Sequence, residues 1–129
     1  MDRLHIVLLG PDPLTQAVVG SGLQTYGYDV GLARTEFDAL HQLQRTGSSI
    51  LVADVDYDTA ARLDFARAAR EADDSLTVIY TTRTPSRLST CAEVAGAPCL
   101  RTPYDPHQLV SLIRQLFPQN GSSGDSCAA

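Results

Sequence analysis

Short apolar runs alternate along this chain with longer segments in which apolar residues recur every three or four positions. Three runs are strongly apolar, 5–9, 50–53 and 76–80, and each stops at a glycine, an aspartate or a pair of threonines. Such runs are typical of strands in a parallel sheet, because helices cover both faces of that sheet. Two weaker runs, 28–33 and 99–100, bring the predicted number of strands to five.

The segments between these runs have helical spacing. Asp12 before Pro13 predicts a capped start for the first helix, and Thr35 followed by Asp38 predicts a capping box for the second. The predicted helices run from Pro13 as far as Gly27, from Thr35 to near Gly47, from Thr59 to Ala72, from Ser86 to Ala95, and from Pro106 to just before Pro118. The apolar stripes predicted to face the sheet are Leu14, Ala17, Val18 and Leu23 in the first helix, Phe37, Leu40 and Leu43 in the second, and Leu109, Leu112, Ile113 and Leu116 in the last.

Five strands alternating with five helices predict a doubly wound α/β domain with one parallel sheet, because parallel neighbours need crossover helices. The 129 residues suit a single domain, predicted over 1–118, and the polar segment 119–129 is predicted to be a flexible tail or a linker to a missing output domain. Ligands of such sheets bind at the carboxyl ends of the strands. The residues predicted at that edge are Gly10, Pro11, Asp12, Asp54, Thr81, Thr82, Arg101, Thr102 and Pro103.

All ten basic side chains are arginines, and the chain contains no lysine. This absence excludes Schiff-base catalysis and the phosphate-binding lysines of Walker-type and kinase-type sites. The formal net charge is −5, and acidic residues separate the arginines that lie close together in the sequence. Direct binding of a nucleic-acid backbone by this domain is therefore not expected, because such binding depends mainly on clustered cations.

The cysteines and the N-terminal segment indicate the cellular compartment in which the protein is expected. Cys91, Cys99 and Cys127 have neither the spacing of a zinc site nor the even number of a disulfide framework. The apolar run after Met1 is too short for a signal peptide or a membrane span. We therefore expect a cytoplasmic protein that does not enter a membrane.

The order and spacing of six segments resemble the receiver domain of bacterial two-component response regulators over residues 3–117. The segments are IVLLGPDPLTQAV, GYDVGLA, SILVADV, TVIYTT, AGAPCL and RTPYDPHQLVSLI. The resemblance implies a flavodoxin-like (βα)5 fold with strand order 2-1-3-4-5. It also implies a signalling module and not an enzyme with turnover.

The resemblance implies roles for individual positions. Asp54 corresponds to the phospho-acceptor, Thr82 to the switch threonine that follows the phosphoryl group, and Cys99 to the aromatic switch position. The family's partners are histidine kinases and output domains or proteins, and receivers also dimerise through their fourth helix, fifth strand and last helix. The candidate residues for that partner face are Arg87, Arg101 and Tyr104.

Three positions depart from the family pattern. Gly10 and Pro11 replace the adjacent acidic residues that hold Mg²⁺, and Thr102 replaces the lysine that bonds a phosphoryl oxygen. Because Mg²⁺ prefers an octahedron of oxygens with carboxylates fixed in place, at most weak binding through Asp54 is expected. The prediction is therefore that the domain uses no cofactor, and Mg²⁺ only if phosphorylation occurs.

A phosphoryl group on Asp54 would lack its usual countercharges. It would face the nearby acids Asp12 and Asp56, and like charges repel strongly at close range and intermediate dielectric. Arg83 and Arg101 are the candidate replacements for the lysine. Arg101 is adjacent to the lysine position, where alternation along a strand directs it to the other face.

These departures predict an atypical receiver that acts through protein contacts without ordinary Mg²⁺-dependent phosphorylation. One alternative is a working receiver that a histidine kinase phosphorylates on Asp54 through altered metal ligation. Another is a small phosphotransferase or phosphatase that uses Asp54, because ILVADVDYD is similar to the opening motif of haloacid-dehalogenase-like enzymes. Asp56 and Asp58 are predicted to lie in a solvated loop that caps the following helix.

Overall fold

The computed structural model describes residues 4–10, 12–46, 50–56, 58–85 and 97–117. The predicted helix from Ser86 to Ala95 and the predicted tail 119–129 lie outside these ranges. Pro11, Arg87, Cys91 and Cys127 lie outside them as well.

Five strands and four helices alternate within the described ranges. The strands are β1 His5–Leu9, β2 Asp29–Ala33, β3 Ile50–Asp54, β4 Thr77–Thr82 and β5 Cys99–Arg101. The helices are α1 Pro13–Thr25, α2 Glu36–Thr46, α3 Thr59–Ala72 and α4 Pro106–Leu116. All strands pair in parallel in the order β2-β1-β3-β4-β5, which confirms the predicted fold class and strand order.

Two apolar layers enclose the sheet. One layer lies under α2 and α3 and includes Leu51 and Val78; the other lies under α1 and α4 and includes Ile50 and Ile79. The side chains of β1, β3 and β4 are almost fully buried on both faces, as a parallel sheet requires. The register aligns the carboxyl ends of β1, β3 and β4 at one edge of the sheet.

The inward stripe of α1 differs from the prediction. Its buried residues are Gln16, Val19, Gly20 and Leu23, and of these only Leu23 was predicted to face the sheet. Leu14 is 77% exposed and Val18 is 63% exposed, and Ala17 is exposed as well. The sequence offers two stripes of helical spacing on this helix, and the buried one contains a glutamine.

The starts of the helices follow the predicted capping residues. The Asp12 carboxylate accepts the N–H of Leu14, Pro13 opens α1, and the Thr35 hydroxyl accepts the N–H of Asp38. In α2, however, Phe37 is 80% exposed and does not contribute to the predicted inward stripe.

Close packing joins α1 to α4. A Cβ atom on Gly22 would lie 2.4 Å from two carbons of the Pro106 ring. Real Cβ contacts are never that short, so only glycine permits this approach of the two helices. The spacing between α1 and the chain leading into α4 is therefore fixed by this pair.

Candidate functional site

Asp54 ends β3 at the carboxyl edge of the sheet, opposite Thr81 of β4. Paired residues of parallel strands share a face, so the Asp54 and Thr81 side chains both lie on the α1 and α4 side. Thr82, the predicted switch residue, is one position further along and lies on the opposite face, paired with Arg101. The hydroxyl on the Asp54 face is therefore that of Thr81, a residue predicted at this edge but without a predicted role.

The Asp54 carboxylate is half-buried, and its Oδ1 accepts the backbone N–H of Asp56 at 2.9 Å. Burial raises the pKa of Asp54 above its ordinary value. The N–H of Asp56 opposes this rise, the negative charge of Asp56 adds to it, and the guanidinium groups of Arg62 and Arg83 oppose it. Because the raised pKa means that the folded state favours the protonated form, the ionised carboxylate costs folding free energy at neutral pH.

Asp56 joins the β3–α3 loop to the end of β4. Its Oδ1 accepts the Thr82 hydroxyl at 2.5 Å, and its Oδ2 accepts the Arg83 backbone N–H at 2.8 Å. The Arg83 Nε lies 3.5 Å from the same Oδ2. The predicted capping role is thus wrong for Asp56, whose oxygens meet β4, and is confirmed for Asp58, whose carboxylate accepts the N–H of Ala61.

These contacts set the protonation of Asp56. Burial by itself would raise its pKa, but the Thr82 hydroxyl, the Arg83 N–H and the Arg83 guanidinium together hold the pKa of Asp56 below its ordinary value. The Thr82 hydroxyl is consequently already bonded to a carboxylate. It also accepts the N–H of Thr84 at 3.1 Å, which fixes the turn after β4.

We expect Asp56→Asn to lower the free energy of unfolding at pH 7 by about 2 kcal/mol, because a charge-assisted contact is replaced by an amide whose N–H₂ group cannot accept the Arg83 N–H. The pKa of Asp56 is depressed in the folded state, so its contribution is present above the unfolded pKa and is lost as the pH falls through the folded pKa. The difference between the two proteins should therefore shrink below about pH 4.

Urea unfolding across pH 3 to 7 measures this difference. Asp74→Asn changes an exposed acid at the other end of the sheet and is the matched control, with an expected change within about 0.5 kcal/mol. An Asp56 effect that does not depend on pH would contradict the electrostatic explanation.

Position 10, the first of the two positions that are acidic in the family, has no side-chain oxygen here. Gly10 has no side chain, and a Cβ built on it would make an ordinary contact of 3.5 Å with the Cβ of Asp54. The Asp12 carboxylate accepts the Leu14 N–H at 3.1 Å and the Thr15 hydroxyl at 2.6 Å, so its oxygens serve the start of α1. Pro11 lies outside the described residues.

Gln16 is the residue at this edge that sequence reasoning missed. It is 6% exposed, and the two N–H groups of its amide nitrogen are shared among the carbonyl oxygens of Leu8, Gly10 and Ala33, which lie 3.1, 3.0 and 2.6 Å from that nitrogen. One side chain thereby holds the ends of β1 and β2 together. The available signal was its helical spacing from Val19 and Leu23, three and seven positions later.

The end of β5 supplies the remaining predicted residues. The Thr102 N–H donates to the Thr82 carbonyl oxygen at 2.9 Å, and the peptide bond between Thr102 and Pro103 is cis. Cys99 is a free thiol packed against the α2 and α3 layer. Burial, and then the charge of Asp56, raises its pKa.

The predicted partner face is only partly described. Arg101 is exposed, and Arg87 lies outside the described ranges. Tyr104 packs against the α1 and α4 layer, where burial and the charge of Asp54 raise its pKa to about 12. Its phenol is therefore neutral at physiological pH.

A cleft of about 760 Å³ opens above Asp54 between α1 and the β5–α4 loop. Leu8, Val19 and Val52 line its apolar depth. Its polar lining includes the side chains of Asp12, Asp54, Asp56, Thr81, Arg83 and Thr102. The predicted acceptor and the threonine at the lysine position are thus brought together in one cavity.

The described residues contain neither a metal-binding cluster nor a helix that could span a membrane. No three of their His, Cys, Asp and Glu side chains are grouped so as to hold a metal ion. None of the helices in these ranges has the length and apolar character needed to cross a bilayer.

Comparison with known proteins identifies the fold. No family model matches the sequence, and no curated protein does. The chemotaxis protein CheY4 of Vibrio cholerae superposes with a TM-score of 0.77 at 19% identity, over 88% of this chain and 98% of that chain. The receiver domain of TorR, a response regulator of the TMAO respiratory system, has a TM-score of 0.77 at 23% identity, over 88% and 95%.

A longer protein contains the same fold as one part. The anti-anti-sigma factor PhyR from Bartonella quintana matches with a TM-score of 0.73 at 22% identity, over 89% of this chain but only 47% of that chain. Together with the strand order and the position of Asp54 at the carboxyl edge, these matches show that the chain has the fold of response regulator receiver domains.

Proposed function

We propose that this chain is an atypical receiver that signals through protein contacts and is not switched by ordinary Mg²⁺-dependent phosphorylation. The observation that carries the proposal is the set of groups around Asp54. Gly10 brings no side-chain oxygen, Thr102 brings no positive charge, and both oxygens of Asp56 are bonded to β4 and its turn. Mg²⁺ needs fixed carboxylates that are available to it, and the carboxylates of Asp12 and Asp56 are already bonded within the chain. Phosphoryl transfer needs countercharge, and Arg83 is the one cationic residue in the described lining of the cleft.

The bonded state of Thr82 supports the same proposal. In a switching receiver, a hydroxyl at the end of β4 must be free to move toward a new phosphoryl oxygen. Here the Thr82 hydroxyl already donates a hydrogen bond to one oxygen of the Asp56 carboxylate. The backbone N–H of Arg83 donates to the other oxygen. The β4 end is thus held by a permanent carboxylate, which makes a phosphorylation-dependent movement unnecessary.

The partners of such a module are a histidine kinase or an output domain or protein, with a homodimer as a further possibility. The PhyR chain is about twice as long as the part that matches, which supports the idea that this fold works beside another unit. The exposed apolar side chains Leu14 and Val18 on α1, together with Arg101, offer surface for such contacts.

One observation favours the alternative, a working receiver phosphorylated on Asp54. The guanidinium of Arg83 lies at the same edge, 3.5 Å from Asp56, and it lowers the pKa of Asp54. Arginine is a good ligand for phosphoryl oxygens. In this alternative Arg83 exchanges Asp56 for the phosphoryl group and takes the place of the lysine.

Acetyl phosphate with Mg²⁺ distinguishes the two. We expect no gain of a phosphoryl group by intact mass and no Mg²⁺-dependent shift of the Thr81 and Thr82 amides with beryllofluoride. Labelling that needs Mg²⁺ and disappears in Asp54→Asn would overturn the proposal. Hydrolysis of an aryl phosphate that also disappears in this variant would indicate a phosphatase instead.

A rebuilt variant serves as the positive control. Gly10→Asp, Pro11→Asp and Thr102→Lys restore the residue types of the family pattern, and the ordinary contact expected at Gly10 leaves room for a side chain there. If the missing charges are the cause, this triple variant binds Mg²⁺ and takes up the phosphoryl group while the natural chain does not. Failure of the folded triple variant would show that the cause lies outside these three positions.

A further inference from the structure

The cleft above Asp54 has the size and lining of a ligand site. Its volume of about 760 Å³ lies within the range of small-molecule pockets, roughly 300–1,000 Å³. Its depth is apolar, with Leu8, Val19 and Val52, and its outer wall includes the exposed side chain of Val18. A ligand with an apolar body and one polar end would match the apolar and polar parts of this lining.

The cleft is open because two positions in its lining, Gly10 and Thr102, carry no side chain or a short one. Gly10 contributes no side chain beside Asp54, and Thr102 stands at the far wall with a side chain much shorter than lysine. The same substitutions that remove the phosphorylation chemistry therefore create the space.

Two largely buried polar residues, Thr81 and Gln16, line the cleft, and each has a side-chain atom without a hydrogen-bond partner among the described residues. Thr81 is 3% exposed, and its hydroxyl makes no hydrogen bond within the described ranges. Gln16 is 6% exposed, and its amide oxygen likewise has no partner there, although the two N–H groups of its nitrogen are used by three carbonyl oxygens. Because both residues lie at the cavity wall, a bound group that offers hydrogen bonds can take these atoms as partners.

The unused atoms at the polar end are mainly acceptors. Asp54 uses Oδ1 for the Asp56 N–H, which leaves Oδ2 for another donor. The lining carries three carboxylates, those of Asp12, Asp54 and Asp56, against the single guanidinium of Arg83, a net formal charge of −2. A ligand with several N–H donors and a positive charge satisfies these acceptors, whereas an anionic ligand is repelled.

We propose that this cleft binds a small organic ammonium compound, with its apolar body between α1 and the β5–α4 loop and its ammonium group at Asp54, Thr81 and Gln16. The inference goes beyond the proposed function, because a receiver without phosphorylation does not need a ligand. It is also tested separately, since neither acetyl phosphate nor Mg²⁺ is required for the binding.

Phenethylamine, with hydrocinnamate and phenethyl alcohol as probes of matched shape, tests the proposal by amide NMR titration of the full chain. We expect saturable shifts of the Thr81, Thr102 and Val18 amides with phenethylamine, with a dissociation constant on the order of 1 mM for so small a probe. The alcohol should bind at least about tenfold more weakly, and the carboxylate should not bind, as the charge of the lining requires.

Variants locate the site. Asp54→Asn and Thr102→Lys should each weaken phenethylamine binding about tenfold or more, the first by removing the anion and the second by placing a cation in the cleft. Asp74→Asn, a distant exposed acid, should leave the affinity unchanged. Circular dichroism identifies any variant that fails to fold. If one of the two cleft variants fails to fold, the affinity of the other one tests the proposal.

Several results would overturn the proposal. They are the absence of saturable shifts up to about 10 mM phenethylamine, equal binding of amine and carboxylate, equal weakening in Asp74→Asn, and shifts at the same amides with Mg²⁺ alone that phenethylamine cannot reverse. The last would identify the cleft as a metal site.

Discussion

Gln16→Leu should lower the free energy of unfolding by about 3 kcal/mol, because it removes two N–H groups that three carbonyl oxygens share at a buried edge. The loss falls on the oxygens of Leu8, Gly10 and Ala33, which the Gln16 amide reaches at 2.6 to 3.1 Å. The expected loss of stability is smaller than that for three unpaired carbonyl oxygens, because the Ala33 oxygen still accepts the backbone N–H of Gly10 at 3.1 Å.

Urea unfolding measures the change, and amide hydrogen exchange locates it. Protection should fall first at the carboxyl ends of β1 and β2. Gln24→Leu, on the exposed side of the same helix, is the control and should change the stability by no more than about 0.5 kcal/mol. A cost below about 1 kcal/mol for Gln16→Leu would mean that water replaces the amide in the opened space.

Arg62→Met should raise the free energy of unfolding by about 1 to 3 kcal/mol, an unusual direction for a buried position. Arg62 is 4% exposed, and its Nε and Nη1 have no hydrogen-bond partner among the described residues. Its ion contact with Glu36 is long, 3.9 Å, and the glutamate side chain is 36% exposed. The variant therefore removes a desolvated charge without leaving its partner buried and unpaired.

Arg67→Met is the matched control, because Arg67 lies on the same helix and its 2.8 Å pair with Asp64 is exposed. Exposed pairs contribute little, so a change within about 0.5 kcal/mol is expected. The Arg62 variant should also raise the pKa of Asp54 further, since the guanidinium lowers that pKa. Marked destabilisation by Arg62→Met would show that the guanidinium has a structural partner after all.

Much of the fold could be predicted because local signals agreed with each other. The limits of α3 match the prediction, since the Asp58 cap marks its start and alanine-rich helical spacing continues to Ala72. The starts of α1 and α4 follow from an aspartate before a proline in the same way. The alternation of strands and helices then left few topologies, because crossover connections in parallel sheets are right-handed.

The details at the carboxyl edge depended on information that the sequence does not contain. Thr81 and Thr82 are adjacent, and their side chains lie on opposite faces of the sheet. The pairing of Asp54 with Thr81 determines that Thr81 is the threonine on the Asp54 face. In α1 the choice between two stripes was decided by the carbonyl oxygens of Leu8, Gly10 and Ala33, which the Gln16 amide can reach only from the inner face. Both outcomes follow from tertiary contacts, which override local pattern.

The contact between Gly22 and Pro106 has a consequence for the cleft that lies on the same side of the sheet. One wall of the cleft belongs to α1, and the opposite wall, Pro103 and Tyr104, leads directly into Pro106. The missing Cβ of Gly22 therefore sets how closely the two walls approach. An evolutionary change at this single position, remote from every polar group of the site, would alter the size of molecule that the cleft accepts.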